Sequence, residues 1–171
     1  MLTGESHYLW GKRYSLEVIE RWGAHEISIK NNTWLRLSIR PNASRANRER
    51  VISEWYRAQL KERIPALIEK WEGIMDVQVS EWKVKKMKTK WGSCNAEASC
   101  IWLNLELAKK PVEYLEYIIV HEIVHLLERR HNEQFRVYLN QYMPNWQFYR
   151  DELNHYPLEE LAVQEEAVEL S

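Results

Sequence analysis

Cysteine is scarce in this chain, since only Cys94 and Cys100 occur among its 171 residues. Small secreted domains that lack a sufficient core depend on several disulfides, so two cysteines exclude a disulfide-stapled scaffold. Their Cys-x5-Cys spacing is not that of a zinc knuckle. We therefore expect two packed, reduced thiols.

Long apolar runs are also absent, because no stretch approaches the 18 or so residues that a membrane span needs. The start of the chain, Met1 to Ser6, has neither the basic residues nor the apolar segment of a secretory signal. These absences predict a cytoplasmic protein without a membrane partner.

Phenylalanine is rare as well, with 2 residues against 9 Trp and 9 Tyr. Amphipathic rings in such number suit the wall of a groove as well as a core.

The length and composition are those of a single folded domain. The chain is 45% hydrophobic and 29% charged, which is a soluble globular profile. We expect one domain over residues 1–156 and an acidic tail over residues 157–171.

The charge is unevenly distributed along the chain. Residues 1–110 carry 20 Lys and Arg against 13 Asp and Glu, whereas residues 111–171 carry 4 Lys and Arg against 12 Asp and Glu. The basic part is either a solvated face or a nucleic-acid surface.

The motif around which the chain is organised is His121-Glu122-Ile123-Val124-His125. Two histidines four positions apart share one face of a helix, about 6 Å apart along its axis, so both imidazoles can reach one ion. Zinc binds neutral imidazole, and a catalytic zinc keeps three protein ligands and one open position. His131 is the candidate third ligand if the helix breaks near Arg129 and Arg130.

The residues around this motif predict a buried helix, because Tyr114 to Val120 and Ile123 to Leu127 are largely apolar. Two histidines and a glutamate on such a helix need partners, since burying unpaired polar groups is costly. A chance match on an exposed helix is the alternative, and the apolar flanks argue against it. We expect one zinc per chain, held by His121, His125 and His131.

The first half of the chain reads as strands followed by a long helix. Residues 14–20 and 33–40 alternate polar and apolar side chains, residues 24–30 form a third short run, and Asn31-Asn32 predicts a hairpin turn. We expect these strands to form an antiparallel sheet. The period becomes helical over residues 44–72. Pro65 is a candidate kink in this helix, and Gly73 is its predicted end.

The second half alternates between short strands and helices. We expect strand structure within residues 77–90, a turn-rich loop over residues 91–95, a further strand over residues 98–105, a helix from Pro111 into the motif, and helices over residues 134–142 and 146–153.

Several short motifs together carry a family resemblance. They are Trp91-Gly92-Ser93-Cys94, Leu103-Asn104, Pro111, Tyr117, the His121–His125 motif, His131, Phe135 and Met143-Pro144-x-Trp146. In these residues the chain resembles the YgjP-like metallopeptidase family, which is similar in its core to the SprT-like zinc proteases. The match is specific over residues 88–153 and looser over residues 8–87.

The resemblance implies an α+β fold with a zincin-like metallopeptidase core. This core would contain an N-terminal antiparallel sheet, a long helix, an edge strand and a metal-binding HExxH helix. The resemblance also implies that His121, His125 and His131 bind zinc and that Glu122 is catalytic.

A zinc peptidase of this kind hydrolyses peptide bonds with a zinc-bound water, from which Glu122 takes the proton as general base. Tyr117, one turn before His121, is either a transition-state stabiliser or a buried structural residue. The strand that contains Trp102 and Asn104 is the predicted edge on which an extended peptide or protein substrate lies.

Two other functions stay open at this point. The basic part of the chain and the SprT-like resemblance suggest a DNA-associated protease that acts on protein substrates. A non-catalytic zinc-binding module is the second alternative, and an occupied fourth ligand position would favour it. Cys94 is either a packed thiol or a thiolate that caps the catalytic zinc.

Overall fold

The computed structural model describes residues 3–156 and Leu158. It confirms the α+β class, with two small sheets and four α-helices. Except for Leu158, the acidic tail predicted over residues 157–171 lies outside the described residues. No helix in the described part of the chain is long and apolar enough to cross a membrane.

The first sheet has four strands, β1 (Ser6–Leu9), β2 (Lys12–Glu20), β3 (Glu26–Lys30) and β4 (Trp34–Ile39), in the order β1-β2-β4-β3. The predicted all-antiparallel sheet is wrong for its central pair, because β2 and β4 run parallel. Strand β4 is more apolar than β3 and lies in the interior of the sheet, with its alternate leucines buried. Strand β3 is more exposed and lies at the edge, antiparallel to β4. Two reversals of direction then leave β4 parallel to β2.

The predicted hairpin turn between β3 and β4 is confirmed. Asn31 and Asn32 have φ values of 53° and 56°, and the Thr33 amide donates to the Lys30 carbonyl at 3.1 Å. Asparagine tolerates this left-handed conformation better than most residues do, which explains the Asn-Asn pair.

The long helix α1 (Arg45–Met75) is one continuous element of 31 residues that runs through Pro65. Its N-cap is Ser44, and it ends at Asp76, which has a φ of 53°. The predicted end at Gly73 is wrong, because the buried face of the helix continues through Trp71 to Met75.

The second sheet has three strands, β5 (Glu81–Lys85), β6 (Gly92–Asn95) and β7 (Cys100–Asn104), in the order β5-β7-β6. Residues 91–95, predicted as a loop, therefore contain a strand. The predicted edge strand β7 is in fact central, since it pairs with β5 on one side and with β6 on the other. Its buried residues Ile101 and Leu103 explain the interior position, and β6 forms the edge.

A short 3-10 helix (Leu105–Lys109) leads into α2 (Val112–Val124), which is followed by α3 (Glu133–Tyr142) and α4 (Trp146–His155). Ten of the thirteen residues of α2 are buried. This helix contacts α1, the second sheet, α3 and α4, so its polar side chains lie at the centre of the fold.

Candidate metal centre

The buried helix α2 carries the first two histidines of the motif. His121 and Glu122 lie in its last turn, and His125 is its C-cap, with its amide donating to the carbonyls of Glu122 and Ile123. The helix therefore ends before the break that was predicted near Arg129 and Arg130. His121 is 3% exposed, His125 is 4% exposed and Glu122 is fully buried.

Three imidazole nitrogens converge at this end of α2. The Nε2 atom of His131 lies 3.3 Å from that of His121 and 3.0 Å from that of His125. Two nitrogens that bind one tetrahedral zinc at 2.0–2.1 Å lie about 3.3 Å apart. The three side chains thus fit a metal ion at their centre, and they form the metal-ligating group found among the described residues.

A tight turn brings His131 back to the helix. After the last turn of α2, the amides of Leu126 and Glu128 donate to the carbonyls of Ile123 and Val124, both at 2.9 Å. The chain then reverses, and the Asn132 side chain caps α3 by accepting a hydrogen bond from the Phe135 amide at 3.0 Å. His131 is therefore held between two defined helix ends.

Phe135 supports all three histidines. Its ring is 2% exposed, and its centroid lies 4.9 Å from that of His121, 4.6 Å from that of His125 and 5.0 Å from that of His131. The sequence resemblance includes Phe135 but assigns it no role. The sequence signal for this contact was the position of Phe135, four residues after His131 and in the first turn of a helix.

The charge states of the histidines suit a metal ligand. Burial lowers the pKa of His121 well below its ordinary value, and the other two histidines lower it further. Burial also lowers the pKa of His131, with smaller contributions from Arg136 and Lys90. Nδ1 of His125 lies 3.2 Å from the Glu128 carbonyl, and if Nδ1 carries the proton and donates there, Nε2 is free to bind a metal.

The Glu122 carboxylate lies beneath strand β6. A Cβ atom added to Gly92 would lie 2.8 Å from Oε2 of Glu122 and 2.7 Å from a methyl carbon of Ile118. Cys94, two residues along the same strand, faces the same side of the sheet. Burial, with a smaller contribution from the nearby Glu122, raises the pKa of the Cys94 thiol to about 12. The structure therefore favours a neutral thiol at Cys94.

An open cleft of about 430 Å³ lies between β6 and the turn after α2. Its lining residues are Lys90, Ser93, Cys94, Asn95, Ala96, Glu97, His125 and Arg129. The cleft thus connects an edge strand to the histidine cluster, and sequence reasoning missed most of its residues.

Trp102 and Asn104 do not form the substrate edge that the sequence predicted. Trp102 faces away from α2, and the amines of Lys83 and Lys85 lie 4.9 and 4.6 Å from its ring centroid. The fully buried Asn104 instead donates to the Met87 and Lys90 carbonyls at 3.0 and 2.7 Å. Both edges of β7 are already occupied by neighbouring strands.

Tyr117 does not belong to the lining of the cleft. It is fully buried, and its ring packs 5.9 Å from that of His121 and 6.0 Å from that of Tyr149. These contacts fit the structural interpretation of Tyr117. Together with Phe135 and Leu139, Tyr117 lines a small apolar pocket beside His121 and His131.

An HExxH helix with a third histidine close behind it, packed under a small sheet, is the arrangement of a zincin-type metallopeptidase. Residues 1–156 match the YgjP-like metallopeptidase domain, and the chain belongs to this family. No protein of curated function matches the chain. The crystal structure of the metallopeptidase zymogen of Pyrococcus abyssi abylysin is similar to it, with 20% identity and a TM-score of 0.47. That similarity covers 51% of this chain and 88% of the abylysin chain.

Proposed function

We propose that this metallopeptidase hydrolyses peptide bonds at one zinc ion held by His121, His125 and His131, with Glu122 as general base. The observation that carries the proposal is the convergence of three imidazole nitrogens, with spacings of 3.0 and 3.3 Å, next to a fully buried glutamate. The donor set consists of neutral nitrogens, which zinc accepts readily.

When bound, zinc would supply Lewis acidity that makes a water acidic near neutral pH and polarises a substrate carbonyl. The residues of the chain supply the rest of the chemistry. Glu122 accepts a proton from the attacking water and delivers it to the leaving amine. Phe135 and the Glu128 carbonyl fix the imidazole rings, so the ligands need no rearrangement.

The substrate is a peptide or a protein segment in extended form. The edge of β6 faces the cleft beside His125, and an extended chain can add to such an edge through backbone hydrogen bonds.

We also propose a cytoplasmic location, which the free thiols of Cys94 and Cys100 support.

Two observations bear on the alternative functions. Within residues 3–156 the metal-ligating group has three members, which leaves a position for water and supports an enzyme over a structural zinc module. A DNA-associated protease is favoured by Lys83 and Lys85, which flank the ring of Trp102 on the outer face of the second sheet. Tight DNA binding that weakens steeply with salt would support that candidate.

The decisive experiment compares the wild-type protein with Glu122→Gln in metal content and in cleavage of a broad peptide library. Gln keeps the shape of the side chain but cannot accept a proton. We expect about one zinc per chain in both proteins and a loss of cleavage by roughly 10²–10⁴-fold in the variant. His131→Ala serves as the matched control, because it should lose the metal as well as the activity. Wild-type rates in Glu122→Gln would rule out this base.

A further inference from the structure

Four cationic side chains among the described residues lie around the histidine cluster, and two of them form ion pairs. Lys90 and Arg129 line the cleft, and Arg136 and Arg150 line the apolar pocket. A guanidinium nitrogen of Arg129 lies 3.7 Å from a carboxylate oxygen of Glu97. A guanidinium nitrogen of Arg150 lies 3.0 Å from a carboxylate oxygen of the adjacent Asp151. Within residues 3–156, neither Lys90 nor Arg136 has an ion-pair partner.

The backbone of Lys90 is fixed at the entrance to β6. Its carbonyl accepts a hydrogen bond from the buried Asn104 amide at 2.7 Å, and the carbonyl of Trp91 accepts one from the Asn104 backbone at 3.0 Å. The residue is partly buried and shares the lining of the cleft with His125. A cation is thus held beside the proposed path of the substrate.

Arg136 occupies the other side of the cluster. It lies in the first turn of α3, directly after Phe135, and lines the pocket together with His121 and His131. Arg136 shares the lining of this pocket with His131, whereas Lys90 shares the lining of the cleft with His125. The two cations therefore flank the metal centre, one on the cleft side and one on the pocket side.

We propose that Lys90 binds a substrate carboxylate next to the scissile bond from the cleft side, and that Arg136 strengthens the positive field from the pocket side, so that the enzyme prefers peptides with an acidic group at that position. This inference rests on the proposed peptidase function. The carboxylate can belong to an Asp or Glu side chain or to the free C-terminus of the substrate. A bound metal adds two further positive charges, and a partly desolvated site of this sign favours an anion. A charge-assisted hydrogen bond supplies the specificity.

The test uses the full-length zinc-loaded protein and peptides that differ only by Glu or Gln at each position flanking the cleaved bond. Each peptide is made with a free and with an amidated C-terminus. We expect kcat/KM to be roughly 10–100-fold higher for a peptide that has the carboxylate, mainly through KM. Loss of the preference on amidation would identify the C-terminus as its source, and a preference that survives amidation would identify the side chain.

Variants assign the preference to these two residues. Lys90→Ala and Arg136→Ala should each reduce the ratio of kcat/KM between the acidic and the neutral peptide while they keep the zinc content. Lys90→Glu should favour peptides with Lys at the same position. Lys88→Ala is the matched control, because Lys88 is exposed in the same loop and lines neither the cleft nor the pocket.

The outcomes separate this inference from the function on which it rests. Equal cleavage of Glu and Gln peptides by the wild-type protein, together with equal cleavage of the free and amidated forms, would overturn the inference and leave the peptidase function intact. A preference that persists in both Lys90→Ala and Arg136→Ala would also overturn it. Cleavage of no peptide at all, with zinc bound, would reject the peptidase function and the inference together.

Discussion

Gly92 shows how one missing side chain determines where the proposed base can lie. The backbone of β6 passes so close to Glu122 that even a methyl group at this position would lie within 2.8 Å of the carboxylate. Real Cβ contacts do not reach this distance, so a larger residue must displace the Glu122 and Ile118 side chains or the strand itself.

We predict that Gly92→Ala lowers kcat while the protein keeps its zinc, because the displaced carboxylate is no longer placed to accept the proton. The pH profile of kcat should shift as well, since the surroundings of Glu122 change. Gly73→Ala is the control: an added methyl group meets nothing within 4 Å, and Ala in a helix stabilises by about 0.5–1 kcal/mol over Gly. Unchanged kcat in Gly92→Ala would contradict the assigned geometry.

The Cys94 thiol should be unreactive in the folded protein. Its pKa of about 12 means that the thiolate is nearly absent at pH 8, whereas an ordinary thiol with a pKa of about 8.5 is partly ionised there. Because the raised pKa keeps the proton on sulfur, we expect alkylation at pH 8 to be roughly 10³-fold slower than in urea-unfolded protein. Mass spectrometry measures both rates. Rapid alkylation of the native protein would favour a Cys94 thiolate instead.

Among the site residues, the sequence predicted those whose spacing along the chain is enough to place them at one site. His121 and His125 share a helical face, so the i, i+4 spacing was enough to predict their convergence. Lys90 and Arg136 were missed because only the folded chain brings residues so far apart in sequence to opposite sides of one histidine cluster.

Among the elements, the loop between β5 and β6 depends on one buried amide. The Asn104 side chain donates to the Met87 and Lys90 carbonyls and accepts a hydrogen bond from the Glu106 amide at 3.0 Å. It thereby ties the loop to the 3-10 helix that precedes α2, and it sets the point at which β6 begins.

We predict that Asn104→Ala lowers the free energy of unfolding by roughly 2–4 kcal/mol, because several buried polar groups lose their partners. Urea denaturation measures this loss. Asn95→Ala is the comparison on the neighbouring strand, since Asn95 is exposed and accepts a single side-chain hydrogen bond from the Ala98 amide. Its loss should stay below about 1 kcal/mol, and equal losses in the two variants would contradict the role of Asn104.

Element positions were predicted well where a local pattern defines them, as with the turn at Asn31-Asn32 and the helix that enters the motif. The sequence did not predict which strands lie next to each other in the sheets. The parallel pairing of β2 with β4 and the central place of β7 depend on which strands bury most apolar surface together. That is a property of the assembled sheet, and the alternation within a single strand does not encode it.

For the whole molecule, the metal should contribute to stability, since the three histidines converge only when α2 and the turn after it are folded. Removing zinc with a chelator should lower Tm. A metal present at a thousand times its Kd stabilises by about 4.1 kcal/mol, which corresponds to roughly 8–16 °C for a chain of this length. Differential scanning calorimetry with and without the chelator measures the change. His121→Ala should show almost no response to the chelator, and an equal response would place the stabilising metal elsewhere.

The three histidines lie within eleven consecutive residues, whereas the strand that covers Glu122 comes from a part of the chain about thirty residues earlier. Contacts between near neighbours in sequence form with little loss of chain entropy, and those between distant segments form later. During folding, α2 and the turn after it can therefore capture a metal ion before β6 docks. We therefore expect metal uptake and competence for cleavage to be two successive events, so that a nascent chain carries its metal before it is able to cut its neighbours.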